Sequence, residues 1–539
     1  MAQGGTLAHT SRLAEQERPN LLSHDTRQLI RTRLEAEVGR IDKEAPTRVA
    51  LTYPSPYNVA MSSLGYQVVY RTIQSLPGFA CERVFLPDEG DRPGASIERP
   101  LSYEGLRELG EFPIVALSVA YEIELAGLVR MLDASGIPVL AAERDEKAPF
   151  FLAGGPLTFS NPLPLTPFVD AIVMGEGEEL IERCLRIIEQ SGSRREACEA
   201  LAAVDHVFVP SLQGETLPKP ASCDNALLPA TSVIRTPHTE LSNMFLIEAE
   251  RGCSRGCTYC VMRRSTNGGM RLVPKETILE RVPADARKVG LVGAAVSDHP
   301  KIVEIVRALA EREIRVGLSS LRPDRLKDEF VEALKLGGYR TLTTALDGPS
   351  ERLRDLIERR GREPHYVLAA ERARKYGMDC LKLYLMVGLP GETDADIDEC
   401  VKFVTELSRI VPIALGVAPF CSKKNTPLDK MPFAGVRTVE DRLERLRRGL
   451  RGRADVRPTS ARWAWVEWVL AQGGAAEGLA LVGAVRAGGR FADYKRAFAA
   501  LGHLPNGDGY AGLATPIAPE RLRLKRQLTV VGGQPVTRP

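Results

Sequence analysis

Short apolar runs alternate with amphipathic stretches through the first half of the chain, from Arg48 to about Glu189. Short runs rich in branched side chains are typical of strands buried on both faces of a parallel sheet. Helical spacing of apolar positions separates several of them, notably over 62–76 and 123–134. The pattern predicts a Rossmann-like sheet with helices on its faces and ligands beyond its carboxyl ends. The predicted strands cover residues 49–53, 84–86, 114–117, 138–140, 150–153 and 171–174.

A second alternation of apolar runs and amphipathic stretches begins at Met244. Its apolar runs cover residues 244–247, 289–296, 316–319, 341–346, 381–389 and 413–420. Amphipathic stretches over 301–311, 324–336, 365–376 and 394–410 separate most of these runs. Six βα units predict a partial (β/α)6 barrel, whose chemistry belongs on the loops at the carboxyl ends of the strands.

The predicted domain order follows from these patterns. A polar helical extension with one helix over 26–41 precedes a Rossmann-like domain, and a linker rich in proline, serine and threonine leads to the barrel. A helical or small α/β extension follows, with an arginine-rich helix over 436–452 and three tryptophans on a helix over 461–472. The predicted boundaries are 1–45 for the first extension, 46–190 for the Rossmann-like domain, 191–240 for the linker, 241–432 for the barrel and 433–539 for the last extension.

Composition narrows the function classes. A net charge of +3 with 26% charged residues does not indicate nucleic acid or an anionic membrane as a partner. Seven of the ten cysteines are scattered without disulfide-like spacing, which favours a reducing, cytoplasmic environment. No apolar run approaches the roughly 20 residues of a membrane span, and the polar amino terminus does not resemble a signal peptide.

The candidate chemistry lies on the loop after the first barrel strand. Cys253, Cys257 and Cys260 lie within eight residues of a glycine-punctuated segment. Three thiolates at this spacing are able to hold three corners of a 4Fe-4S cluster. Because no fourth cysteine follows at ligand spacing, the fourth iron is expected to stay open to another ligand. A zinc site with a distant fourth ligand and a set of buried structural thiols remain the alternatives.

The CxxxCxxC spacing, with Tyr259 before the last cysteine, resembles that of the radical S-adenosylmethionine (SAM) superfamily. The resemblance implies that the open iron chelates the amino and carboxylate groups of SAM. It further implies that one electron splits the sulfonium to give a 5′-deoxyadenosyl radical, which abstracts hydrogen from an unidentified substrate. A one-electron donor such as flavodoxin or ferredoxin is then an expected partner.

Further candidates lie at the predicted ends of the barrel strands, where the resemblance implies contacts with SAM. His299 is a candidate proton donor or substrate contact, although a hydrogen-bonded loop histidine is the alternative. Arg322 is expected to pair either with the SAM carboxylate or with a nearby aspartate. The implied SAM contacts are Tyr259, Ala294, Ala295, Ser297, Ser320, Arg322, Asp347, Ser350, Arg352, Gly388 and Pro390.

The Rossmann-like half resembles the cobalamin-binding-like domain that precedes the barrel in many radical SAM enzymes. The similarity is carried by the Gly154-Gly155 pair and by the GEGE turn that begins with Gly175 and Glu176. The loop over 54–61 contains no histidine, so either cobalamin binds without a protein imidazole or the domain has lost the cofactor. Bound cobalamin would imply methylation of an unactivated carbon, and its absence would imply rearrangement or oxidation.

A narrower resemblance rests on segments 57–65, 296–300, 320–326 and 382–393. They are similar to an uncharacterised group of radical SAM proteins with a cobalamin-binding-like domain at the amino terminus, and the name of that group gives no substrate. Two alternatives remain, an RNA methylthiotransferase-like enzyme and a non-catalytic iron-sulfur or cobalamin sensor. A methylthiotransferase should carry a further amino-terminal cysteine trio, and Cys81, Cys184 and Cys198 are too dispersed to form one.

Overall fold

The computed structural model of the chain describes residues 24–92, 94–262, 269–319, 321–507, 509–510, 528–532 and 535–536. It begins with helix α1 (His24–Glu35), which ends earlier than the predicted helix over 26–41. The segment after this helix is docked on the first domain. The carboxylate of Glu37 forms an ion pair at 2.7 Å with Arg83, and neither side chain is exposed to solvent. This part of the extension is therefore fixed by a buried charge pair.

The first domain is a six-stranded sheet in the order β2-β1-β3-β4-β5-β6, parallel except for the last strand. Its two faces carry separate apolar clusters, one packed on α4 and the other on α3, α5 and α6. Since β2 and β3 lie on opposite sides of β1, the strand order reverses there, and ligands bind at such switch points. The elements are β1 (Thr47–Tyr53), α2 (Tyr57–Ala60), α3 (Leu64–Ser75), β2 (Phe79–Phe85), β3 (Ile114–Ser118), α4 (Glu124–Ser135), β4 (Phe150–Gly154), β5 (Ala171–Val173), α5 (Leu180–Gln190), α6 (Arg194–Ala202), β6 (Val207–Phe208) and α7 (Pro210–Gln213).

Two predictions for this domain differ from the structure. The predicted strand over 138–140 was wrong, because Ile114 of β3 pairs directly with Phe150 of β4 and leaves no place between them. The segment instead leads into a single helical turn, Ala141–Glu143. The predicted linker over 191–240 also contains structure, since α6 and β6 complete the first domain.

The second domain contains the predicted parallel barrel strands β7, β10, β11, β12, β13 and β14. Together with β15 they form two sheets, β7-β10-β11 and β12-β13-β14-β15, which are joined by one parallel bridge between Leu321 and Thr344. The prediction of a Rossmann-like sheet followed by a partial (β/α)6 barrel is confirmed. The strands are β7 (Phe245–Glu248), β8 (Glu250–Gly252), β9 (Met270–Leu272), β10 (Lys288–Val292), β11 (Arg315–Leu318), β12 (Thr341–Asp347), β13 (Cys380–Val387), β14 (Ile413–Pro419) and β15 (Ala454–Pro458).

Helices cover the outer face of this barrel, where alternate strand residues are buried against them. The strand β15 was not predicted; it extends the sheet by pairing parallel with β14. The helices are α8 (Lys275–Arg281), α9 (Ile302–Glu311), α10 (Asp328–Leu336), α11 (Glu351–Leu356), α12 (Glu363–Lys375), α13 (Asp394–Ser408), α14 (Val436–Gly449), α15 (Ala461–Gln472), α16 (Ala475–Arg486) and α17 (Phe491–Ala499).

The carboxy-terminal extension reaches both domains. Asn161 of the first domain donates hydrogen bonds to carbonyl oxygens at the end of α15, and Arg486 of α16 pairs with Asp133 of α4 at 2.8 Å. Strand β16 (Leu528–Val530) pairs with β9 and with β17 (Pro535–Val536). The extension therefore ties the first domain to the barrel and to the hairpin β8–β9 that flanks the cysteine loop.

Two observations concern the environment of the protein. No helix in the described part of the chain combines the length and the apolar character that crossing a membrane requires. All ten cysteines are free thiols.

Candidate functional site

The three loop cysteines lie between β8 and β9, directly after the first barrel strand. Cys257 is buried, with 7% of its surface exposed, and Cys253 and Cys260 are partly buried. Three thiols on one partly buried loop are able to hold three irons of a 4Fe-4S cluster.

The surroundings of two of these cysteines, Cys253 and Cys260, raise the pKa of their thiols. Burial raises the pKa of Cys253 to about 12, and the neighbouring thiols raise it further. Burial also raises the pKa of Cys260. Metal ligation requires thiolates, so cluster assembly at this loop must release protons.

One side of the cysteine loop is anchored by Asp298, in the loop after β10. The guanidinium of Arg255, between the first two cysteines, donates two hydrogen bonds of 2.9 Å to the Asp298 carboxylate. Arg325 donates a third, at 3.0 Å. Although burial opposes ionisation, these arginine contacts hold the pKa of Asp298 below its usual value. Arg322 also forms an ion pair with Asp298, at 3.5 Å, so a buried carboxylate with three guanidinium partners fixes this part of the loop.

The other side is anchored by Asp347, at the end of β12. The Tyr259 hydroxyl donates to Asp347 Oδ2 at 2.7 Å, and Arg359 forms an ion pair with the same oxygen at 2.7 Å. Asp347 has a positive φ of 61°, which few residues other than glycine adopt. Its carboxylate therefore contacts the loop residue that precedes Cys260, and its predicted contact with SAM stays a prediction.

The loop after β10 is supported from beneath by Glu250 of β8. The Ala295 amide donates to Glu250 Oε1 at 2.6 Å, and the Ala295 carbonyl accepts from Asp298. A side chain at Gly293 would overlap the Glu250 carboxyl group. Burial raises the pKa of Glu250 to about 8. Glu250 thus sets the course of the segment that contains the predicted SAM contacts Ala294 and Ala295.

His299 lies beneath this segment and is 4% exposed. One ring nitrogen lies 2.9 Å from the Val273 carbonyl oxygen, and the other accepts from the Lys301 amide at 3.1 Å. Burial lowers the pKa of His299. Both ring nitrogens are thus used by backbone groups, an arrangement suited to holding the loop, and a catalytic role for His299 stays a prediction.

The remaining polar candidates also contact protein groups. The Ser297 hydroxyl accepts from the Arg322 amide at 3.1 Å, and the Arg322 guanidinium is paired with Asp324. This pairing is the alternative left open for Arg322 by the sequence. Ser320 lies outside the described residues.

At the next strand ends, Ser350 and Arg352 both contact Asp396, at 2.6 Å each. Gly388 has a φ of 81°, and its amide donates to Glu392 at 2.9 Å. Pro390 lies in the same turn. These contacts define a tight strand-to-helix turn, and the predicted role of its residues in SAM binding stays a prediction.

A cavity of about 420 Å³ lies between the two domains. The predicted cofactor residues Gly154, Gly155, Gly175 and Glu176 all line it, at the carboxyl ends of β4 and β5. The barrel contributes side chains at the carboxyl ends of β7 and β10, on β8 and on the cysteine loop, namely Glu248, Val292, Arg251 and Met262. The carboxyl ends of the two parallel sheets therefore face one another across a single cavity.

An ion-pair network closes one edge of this cavity. Arg251 of β8 pairs with Glu178 at 2.7 Å and with Glu248 at 2.8 Å, and Arg271 of β9 pairs with Glu176. Glu176, Glu178 and Cys223 form the one group whose ligand atoms, in the part of the chain described, approach closely enough for a metal ion. Because two guanidinium groups already occupy these oxygens, the network links the domains without an ion.

The sequence did not identify Glu250, Arg251, Asp298 or Arg359 as functional residues. A detectable signal existed for the first two, since glutamate and arginine beside an apolar strand indicate buried charges that need partners. The partners of Asp298 and Arg359 depend on which strand ends meet in space. That information is absent from local patterns.

The fold and the site define a class of enzymes in which a parallel partial barrel has three cysteines on the loop after its first strand. Two family descriptions match the chain, "Radical SAM proteins, N-terminal" over residues 65–210 and "Radical SAM superfamily" over residues 247–404. Together the matched residues make up more than half of the chain. The protein belongs to the radical SAM superfamily. Its cofactors are accordingly a 4Fe-4S cluster and SAM, and it is an enzyme.

The relatives of this chain include an uncharacterized protein and a methylthiotransferase. It is 26% identical over 401 residues to the uncharacterized protein MJ0966 of Methanocaldococcus jannaschii, an alignment that covers 71% of this chain and 80% of the relative. It is 28% identical over 302 residues to the ribosomal protein uS12 methylthiotransferase RimO of Geobacter sulfurreducens, covering 52% of this chain and 59% of that enzyme. The chain therefore spans little more than half the length of the methylthiotransferase.

Among solved structures, the chain shows similarity to the cobalamin-dependent SAM radical enzyme OxsB with aqua-cobalamin and SAM bound. Its TM-score to this chain is 0.47 at 13% sequence identity, and the match covers 69% of this chain and 53% of that one.

Proposed function

We propose that this enzyme is a radical SAM methyltransferase that holds cobalamin in the cavity between its domains and methylates an unactivated carbon of an unidentified substrate. The observation that carries the proposal is the cavity itself, which the carboxyl ends of both parallel sheets line. Cofactors of parallel α/β folds bind at those ends. Two cofactors bound there would face one another.

The mostly apolar lining of the cavity suits a cofactor with a large apolar surface. Its deep part lies between the sheet and the helices α3 and α5 and is lined by apolar side chains. Its outer part is bordered by the glycines after β4 and β5, where backbone approaches closely. Among its described lining residues there is no histidine, so cobalamin would bind there without a protein imidazole. The deepest lining residues are Leu51, Tyr66, Val69, Ile73, Ala116, Leu152, Ile181 and Leu185.

Three groups of residues would have separate roles in this reaction. Cys253, Cys257 and Cys260 would ligate the cluster. When bound, the reduced cluster supplies the electron that cleaves SAM, and cobalamin carries the methyl group. The anchors Asp298 and Asp347 would keep the cysteine loop in one geometry, and the arginine network at Glu176 would fix the distance between the two cofactor sites. Enclosure between the domains would exclude water from reactive species.

The first test is SAM turnover by protein reconstituted with iron and sulfide without oxygen. The expected result is a brown protein with about four iron atoms per chain that forms 5′-deoxyadenosine when dithionite and SAM are added. A colourless protein that carries only zinc, or a brown one without this product, would contradict the assignment. A brown protein that forms no 5′-deoxyadenosine would favour a non-catalytic iron-sulfur sensor.

The second test concerns cobalamin alone. Protein produced with added hydroxocobalamin should retain the visible absorption of a corrinoid after gel filtration. Gly65 lines the cavity, and a Cβ atom added to it meets no atom within 4 Å, so Gly65→Phe should reduce this absorption by occupying space in the cavity. Gly483→Phe is the matched control, because Gly483 is a helical glycine with equally open surroundings on the surface of α16. Equal corrinoid retention by both variants, or none by the wild type, would oppose cobalamin binding there and leave rearrangement or oxidation as the reaction class.

A second reaction class, sulfur insertion, is suggested by the methylthiotransferases among the relatives. A second cluster would raise the iron content to about eight atoms per chain. Three cysteines of the first domain, Cys81, Cys184 and Cys198, lie on β2, α5 and α6 and are buried among apolar side chains. This burial supports one iron-sulfur cluster per chain rather than two. The free thiols also support the predicted cytoplasmic location, since the cytoplasm is reducing.

A further inference from the structure

The turn that follows β13, residues 388–392, packs directly on the start of helix α14. A Cβ atom on Gly388 would lie 3.2 Å from side-chain atoms of both Ala434 and Val439, so only glycine allows this close approach. The turn lies at the carboxyl end of a barrel strand, where parallel barrels bind their ligands. Its position relative to α14 therefore decides what a ligand at this strand end would meet.

One side of the 388–392 turn is held by the buried carboxylate of Glu392. This group accepts hydrogen bonds from the Gly388 amide at 2.9 Å and from the Leu389 amide at 3.3 Å. Arg442 of α14 pairs with the same carboxylate at 2.9 Å and donates to the Glu392 carbonyl oxygen at 2.7 Å. The Glu392 side chain is not exposed to solvent. A buried ion pair with α14 therefore fixes the amide groups of the turn.

The other side of the turn is held by Tyr510, in the carboxy-terminal extension. Its hydroxyl donates to the Gly388 carbonyl oxygen at 2.7 Å, across 122 residues of sequence. Burial raises the pKa of Tyr510, so the hydroxyl keeps its proton and remains a donor. The chain that leads to Tyr510 is fixed at the start of α14, where the Val436 amide donates to the Pro505 carbonyl oxygen at 2.9 Å. Both peptide groups that flank Gly388 are thus held by protein side chains.

These contacts leave one peptide bond of the turn unpaired. The Leu389 carbonyl accepts from the Glu392 amide at 3.1 Å, and the Gly391 carbonyl accepts from the Arg352 guanidinium at 2.9 Å. Within the described part of the chain, the Pro390 carbonyl and the Gly391 amide are the backbone groups of this turn without a hydrogen-bond partner. Backbone groups in folded proteins are nearly always paired, so an unpaired peptide bond at a strand end indicates a ligand contact.

We infer that Tyr510 is a positioning residue for SAM, because its bond to the Gly388 carbonyl orients the turn and leaves the Pro390–Gly391 peptide bond available to the cofactor. SAM is a cofactor of this superfamily, and the sequence predicts SAM contacts at Gly388 and Pro390. The carboxy-terminal extension would then be part of the SAM site as well as a tie between the domains. This inference requires SAM binding only, so it is independent of cobalamin and of the reaction class.

Hydrogen–deuterium exchange of the reconstituted full-length protein, without SAM or reductant, tests the contact itself. In Tyr510→Phe the ring remains and only the hydroxyl is lost. The amides of Gly388 and Leu389 should exchange about fivefold faster than in the wild type, as expected for the loss of one hydrogen bond. The matched control is Tyr70→Phe, because the Tyr70 hydroxyl also donates to a backbone carbonyl, that of Ile41 at 3.0 Å, but lies in the first domain. Unchanged exchange in Tyr510→Phe would overturn the inference.

Equilibrium dialysis of labelled SAM against the same protein tests the consequence for the cofactor. Tyr510→Phe should weaken SAM binding about fivefold, and Tyr70→Phe should leave it unchanged. Iron content should equal that of the wild type in both variants. With dithionite present, KM for SAM should rise by a similar factor in Tyr510→Phe while kcat stays the same. Faster exchange with unchanged SAM affinity would show that the turn does not bind SAM, and a fall in iron content or kcat would indicate a general structural role; either result would overturn the inference.

Discussion

Replacement of Cys257 by alanine is expected to abolish formation of 5′-deoxyadenosine and to reduce the iron content from about four atoms per chain to near zero. Cys257 is the middle and most buried of the three loop thiols. Two remaining cysteines would leave two irons without protein ligands. Iron analysis, the electron paramagnetic resonance signal after dithionite reduction, and product quantification would measure the effect.

The matched control for this substitution is Cys198→Ala. Cys198 is also a buried free thiol, but it lies in α6 within the apolar cluster of the first domain. This variant should keep its iron and its turnover, with a small loss of stability from the removed sulfur. Full iron content and full turnover in the Cys257 variant would show that another residue completes the site, and the three-cysteine assignment would then be wrong.

Most of the fold was visible in the sequence because parallel strands covered on both faces give continuous apolar runs. This holds for β1, β3 and β4 and for five of the barrel strands after β7. Strand β15 was missed for a physical reason. It lies at the sheet edge, and its residues Asp455 and Arg457 face solvent, so its sequence has no apolar run. The prediction of a strand over 138–140 was wrong for the opposite reason, since the apolar residues of this segment pack in the core without joining the sheet.

The candidate site was only partly accessible to the same reasoning. Sequence spacing brings Cys253, Cys257 and Cys260 into one loop, and their role as ligands stays a prediction that the Cys257 variant tests. The anchors of that loop come from elsewhere in the chain. Asp298 and Asp347 lie 43 and 88 residues away from their partners Arg255 and Tyr259. Contacts over such separations follow from which strand ends meet, so local periodicity contains no information about them.

Several predicted cofactor residues instead contact other protein groups in the structure. Glu176 and Arg322 were selected as polar groups on loops near the carboxyl ends of strands, where ligands bind. Each has an oppositely charged protein partner, Arg271 and Asp324 respectively. Buried or half-buried charges need such partners whether or not a ligand is present. Sequence position therefore indicates which residues lie near strand ends, and the structure is needed to show which of those side chains already have protein partners.

Asp298→Asn is expected to cause the largest loss of cluster stability among substitutions outside the cysteines. The Asp298 side chain is 5% exposed and pairs with Arg255, Arg322 and Arg325, so the asparagine variant removes a charge partner from all three guanidinium groups, of which Arg322 keeps Asp324. Breaking a buried pair costs about 3–5 kcal/mol, and the partial exposure of Arg255 and Arg325 lowers the expected cost to about 2 kcal/mol. If this free energy is lost from the ordered conformation of the cysteine loop, a chelator should remove the iron-sulfur cluster on the order of ten times faster than in the wild type.

The measurement is the decay of visible absorption in the presence of an iron chelator, with SAM affinity as a second readout. Asp328→Asn is the matched control, because Asp328 also has cationic partners, Arg372 and Lys375, but lies on the outer helices away from the loop. In the wild type, the arginines hold the pKa of Asp298 below that of the unfolded chain. Its stabilising contribution is therefore complete above about pH 4 and is lost as pH falls through the lower folded value. The ratio of the rates of cluster loss in Asp298→Asn and the wild type should accordingly be the same at pH 6 and pH 8. A ratio that fell to one at either pH would show that a group other than Asp298 holds the cysteine loop.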